Sequence, residues 1–208
     1  MNRLKFSPSR SLAAASAGVL GFLPAIASAH PGHYHPPGEE DEFDAFTAGL
    51  LHPATGMDHL LLALAAGWLI FSFPKAKAAL PSAFLAALAI GAWTGRGLQG
   101  GAFLEIALSW TLLAAGAAIL IGRYLKAAPL AVALCIAGAV HGFAHGAETA
   151  AGVPFLPYAT GFILGTGMLV AGGVALHAAT SRLRQPLVPR IAGAALLAAG
   201  TASLIHAI

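Results

Sequence analysis

Charge is what this chain most lacks: nine per cent of its residues are Asp, Glu, Lys or Arg, against about a quarter in a soluble domain. Hydrophobic residues make up 58 %. That is the composition of a bilayer protein, with room in 208 residues for several helices but for no large soluble domain. Cysteine is nearly absent too. Cys135 stands alone, which excludes an intramolecular disulfide, and its mid-span position suits a small apolar filler. The net charge of +3 rests on Arg3, Lys5 and Arg10 near the N-terminus; the eight remaining basic residues balance eight acidic ones. Nothing in the charge balance therefore points to nucleic acid. No G-x-x-x-x-G-K-[ST] run is present, which excludes ATP hydrolysis through a P-loop, and no H-E-x-x-H run marks a zinc peptidase.

What is present begins with an export signal. Arg3, Lys5 and Arg10 precede an apolar run from Leu12 to Ile26, and Ala27-Ser28-Ala29 has the form of a cleavage site. Residues 1–29 read as a signal peptide, with an uncleaved first helix as the alternative. A tail, 30–42, follows, holding His30, His33 and His35 among prolines and glycines and then an acidic patch. The three tail histidines are candidate metal collectors at the outer surface.

Apolar blocks then occupy 43–73, 78–95, 102–121, 129–150, 157–180 and 188–207. They predict an all-α bundle of about six transmembrane helices in one transporter domain, 43–208. The first block exceeds one crossing and contains Pro53, so a break is expected near His52-Pro53. Alternate loops hold seven basic residues (Lys75, Lys77, Arg123, Lys126, Arg182, Arg184 and Arg190), and the other set holds only Arg96. By the positive-inside rule, both mature ends lie outside the cytoplasm, as in a multi-pass protein of a bacterial-type inner membrane. GxxxG pairs at Gly91/Gly95, Gly142/Gly146 and Gly161/Gly165 read as packing seams.

Beyond the tail and its acidic continuation, which ends at Asp44, only three acidic residues remain: Asp58, Glu105 and Glu148. No Lys or Arg lies within the bundle to pair with them. Ionisable groups at membrane depth cost a few kcal/mol each and usually mark an ion or substrate path. His52 and His59 accompany Asp58, and His141 and His145 accompany Glu148. A divalent cation neutralises such a set, and imidazole with carboxylate suits Ni, Co, Zn, Cu or Fe(II). His141, His145 and Glu148 follow one helical face. Asp58 is either a ligand or the partner that orients His59. Glu105, at the outer start of the third span with Ser109 one turn further in, reads equally as a ligand or an interfacial group. His177 and His206 have no acidic company and read as polar caps.

The run His52-Pro-Ala-Thr-Gly-Met-Asp58-His59 resembles the H-P-x-x-G-x-D-H motif of the HupE/UreJ family of nickel permeases, associated with hydrogenase and urease maturation. The run Val140-His141-Gly-Phe-Ala-His145-Gly-Ala-Glu148 resembles that family's F-H-G-x-A-H-G-x-E motif, with Val140 in place of the aromatic residue. The resemblance spans essentially the whole chain. It implies a non-enzymatic permease importing Ni²⁺ or Co²⁺ as cargo, with no prosthetic group, at His52, Asp58, His59, His141, His145 and Glu148; Glu105 matches an acidic position of the third span. The energy source stays open between membrane potential, proton gradient and trapping by cytoplasmic metal chaperones. Two other readings remain: an intramembrane zinc-dependent hydrolase, and a metal-binding subunit of a larger transporter or a sensor.

Overall fold

A computed structural model describes residues 41–208; the signal segment, His30, His33, His35 and nearly all of the tail lie outside them. Seven α-helices and two short 3₁₀ turns account for the described residues, with no strand among them. The helices are α1 (Glu42–Thr55), α2 (Met57–Phe71), α3 (Ala79–Gly95), α4 (Ala102–Leu120), α5 (Ala127–Glu148), α6 (Phe155–Arg182) and α7 (Val188–Ala207). Four of them, α4 to α7, are long and apolar enough to cross a membrane. Helices α1 and α2 meet the same test together as one span bent by 78°, and α3 is a shorter apolar helix of 17 residues.

Local chemistry sets the first helix. Asp41 caps it by accepting a hydrogen bond from the Asp44 amide (2.8 Å), and Glu42 and Asp44 favour its positive N-terminal end. The break falls later than expected from Pro53. Proline removes one intrahelical donor, yet the helix continues through it to Thr55 and stops at Gly56, which is extended (φ −86°, ψ 120°). The Thr55 hydroxyl donates to the His52 carbonyl (2.8 Å), and the Gly56 amide reaches the same oxygen (3.4 Å). The His52 carbonyl, in the last turn of α1, is thereby satisfied before the chain turns.

Four close helix pairings build the bundle: α6 against α1 and against α2, α3 against α5, and α4 against α7. Helices α3 and α5 run parallel and nearly touch through backbone. A side chain at Gly138, Gly142 or Gly146 would collide with the carbonyls of Phe84, Leu88 or Ala92; one at Gly91 or Gly95 would meet those of Ala139 or Phe143. Small residues here let two helices approach without the hydrophobic drive available in water. A core of Leu62, Ala66, Leu69, Leu112 and Leu134, all nearly fully buried, fills the end of the bundle that leads to the basic loops.

Candidate metal centre

The bend at Gly56 folds the first motif back on itself. Instead of lying along one helix face, His52 and His59 flank the joint with ring centres 5.7 Å apart in an edge-on arrangement. Gly56 is glycine for space rather than for backbone angle, since a Cβ there would lie 3.0 Å from His59 Nδ1 and 3.1 Å from Asp58 Oδ1. Asp58, in the first turn of α2, accepts a hydrogen bond from His59 Nδ1 at 2.8 Å. A carboxylate only accepts, so Nδ1 carries a hydrogen, and in the neutral ring Nε2 is then the nitrogen with the lone pair.

Helix α5 brings the second motif to the same place. His145 is 1 % exposed and stacks on Phe162 (4.6 Å, 18°); its ring centre lies 4.9 Å from that of His52 and 4.3 Å from that of His59. Glu148, one turn further out and exposed at the helix end, accepts from His52 Nε2 at 3.0 Å. One ligand atom each from His52, His59, His145 and Glu148 falls within 4.8 Å of the other three. Neighbouring ligands around one ion with bonds of about 2.1 Å stand about 3.0–3.4 Å apart. The His52 Nε2–Glu148 pair already has that spacing, with the ring hydrogen having to move to Nδ1 for Nε2 to ligate, and the widest separation in the set must close by more than an ångström. Two helix C-termini, those of α1 and α5, point their negative ends here, and Asp58 offsets the positive start of α2.

His141 lies one turn deeper and outside this tightest group. It is 2 % exposed, its ring centre is 5.1 Å from that of His59, and its Nδ1–H donates to the Ala137 carbonyl (3.1 Å). Glu105 does not join the four either, but it lines the same cavity, of about 440 Å³, with His52, Asp58, His59 and Glu148. Ser109 Oγ lies 2.8 Å from the Glu105 carbonyl and 2.8 Å from Ser203 Oγ, tying α4 to α7 beside that wall. Asp58 and Glu148 each pair with a histidine.

The remaining candidates have other places. His177 Nδ1 donates to the Trp68 carbonyl at 2.7 Å, and its ring stacks on that indole, a structural tie between α2 and α6. His206 is exposed in the last turn of α7. Cys135 is half-buried with its sulfur 3.9 Å from the Ala83 carbonyl. The sequence reading passed over Thr55, which lines the cavity, and Thr166, buried beside the histidines. Thr55 lies within the first motif but at one of its variable positions, and Thr166 is a lone hydroxyl in an apolar helix, which carries little signal.

Comparison with known proteins points to the same family as the resemblance of the two motifs. The family model described as HupE / UreJ protein matches residues 18–203. Among characterised relatives, Protein HupE of Rhizobium leguminosarum bv. viciae is 31 % identical over 186 residues, covering 88 % of this chain and 92 % of the relative. No solved structure matches. With a family model spanning most of its length and a relative aligned nearly end to end, the chain belongs to the HupE / UreJ family.

Proposed function

We propose that this protein carries a divalent transition-metal ion, Ni²⁺ or its close rival Co²⁺, inward across a bacterial-type inner membrane, making and breaking no covalent bond. The observation that carries the reading is the convergence of His52, His59, His145 and Glu148 at a helix break, with ligand atoms within 4.8 Å of one another. Broken helices whose C-terminal ends face a cation are a recurring device of transporter sites. The donors also run from exposed Glu148 through half-buried His52 to buried His59 and His145, a gradient along which an arriving ion exchanges water for imidazole. The cavity opens at the end opposite the loops that hold Lys75, Lys77, Lys126, Arg182 and Arg184, which is the outer end by the positive-inside rule. Inside, the ion passes to cytoplasmic metal chaperones of enzyme maturation.

The test is uptake by the purified full chain in liposomes, read by radioactive Ni²⁺ or by a chelating dye enclosed in the lumen. Ion accumulation above protein-free vesicles, without ATP or partner proteins, is expected. No accumulation under either an imposed potential or a pH gradient would overturn the reading of a self-sufficient permease. Hydrolysis of an amide or ester by the zinc-loaded protein would favour the enzyme reading instead.

A further inference from the structure

On the inner side of the histidine cluster, away from the outer cavity, is a void of about 10 Å³. That is room for about one water-sized occupant. Four polar atoms beside it are buried and make no hydrogen bond within the protein: His59 Nε2, His141 Nε2, His145 Nδ1 and Thr166 Oγ1. Four orphans at one point are unusual, because buried polar atoms are nearly always satisfied. Two of them are held as bare lone pairs. The Asp58 carboxylate takes the hydrogen on the far nitrogen of His59, and the Ala137 carbonyl takes the one on the far nitrogen of His141. The rest of the lining, Leu62, Ala63, Phe84 and Leu88, is apolar and offers these atoms no partner.

We infer that this chamber is a second, dehydrated cation station, formed by His59, His141, His145 and the hydroxyl of Thr166. The inference rests on the metal-transport reading for its purpose, though not for its geometry. His59 and His145 belong to both the outer group and the chamber. An ion moving inward would keep those two imidazoles while exchanging His52 and Glu148 for His141 and Thr166. Two donors are retained at every moment, so the ion is never bare in a low-dielectric interior, where an unpaired charge is most costly. Thr166 is the element that neither motif contains. It sits on α6, so the inner station draws a donor from a helix that supplies none to the outer one.

The experiment uses purified full-length protein in detergent with Co²⁺ as the probe, because its visible bands report ligand type and number. A His52→Ala/Glu148→Gln variant removes the donors found only in the outer group. It should still hold one Co²⁺ with a three-imidazole spectrum. Adding Thr166→Val, which keeps the shape but deletes the hydroxyl, should weaken that binding about tenfold, the scale on which a group supporting a metal site acts. Thr166→Ser in the same background should restore it. If the stripped variant binds no Co²⁺ while retaining its helicity and melting temperature, the chamber is a buried-water site and the inference falls. Equal affinity for Thr166→Val and its parent would remove the hydroxyl from the station and overturn the assignment of Thr166. Co²⁺ binding by the stripped variant, beside failure of the unmodified chain to move ions in liposomes, would support the chamber and overturn only the transport reading.

Discussion

At the scale of single residues, Asp58 has the most sharply defined task. It accepts from His59 Nδ1 and so aims a lone pair on Nε2, and its negative charge also faces the outer cavity. Asp58→Asn keeps the shape and loses the charge. Maximal uptake should fall by at least about tenfold at saturating metal, as expected when a partner that orients a metal-binding imidazole is disabled. Initial rates against free Ni²⁺ and Co²⁺ at matched expression check this; a change confined to the half-saturating concentration would remove Asp58 from the obligatory path. Most of this site was legible in the sequence, because carboxylates without Lys or Arg partners stand out in an apolar chain. The division of labour was not. His141 shares a face with His145, yet its place one turn deeper takes it from the outer four and leaves its Nε2 facing Thr166's void. Only the third dimension brings a hydroxyl from α6 to a stripe on α5.

At the scale of elements, the joint between α1 and α2 decides which side chains meet. The sequence predicted the break but attached it to Pro53. The structure moves it three residues on to Gly56, because a proline costs a helix one donor while an extended residue ends it outright. Gly56→Ala is allowed by the backbone angles and crowds only the Asp58–His59 pair. Its expected effect is a large loss of uptake with a nearly unchanged melting temperature, measured on the same purified sample. Equal losses in both would mean that the glycine serves the fold. The GxxxG pairs were read correctly as seams between helices, but no pattern in one helix names its partner. That α5 lies along α3, and α6 along α1 and α2, follows from where the backbones touch.

At the scale of the whole molecule, orientation is the open expectation. Reporter fusions at Lys75, Arg123 and Arg184 should register as cytoplasmic, and fusions at Gly100, Val153 and Ile208 as external. The basis is the seven-to-one excess of Lys and Arg in alternate loops. A cytoplasmic C-terminus would invert the direction in which the donor gradient faces. Each of the six apolar blocks holds helix in the structure, but only five of them, with α1 and α2 taken as one bent span, are long and apolar enough to cross a membrane, α3 being shorter; the break in the first block was visible as excess length around Pro53, and its 78° angle not at all.

The near-contact of α3 and α5 has a mechanical consequence. Two helices touching backbone to backbone cannot part without opening a gap that no side chain fills, which favours their moving together as one plate. His141, His145 and Glu148 ride on that plate, while His52, Asp58 and His59 ride on the elements fastened to α6. An ion held by both sets is a rivet through two plates. If the chain carries an ion as proposed, release inward would require the plates to shear along the histidine seam, and cargo that grips both too firmly would lock them rather than pass through.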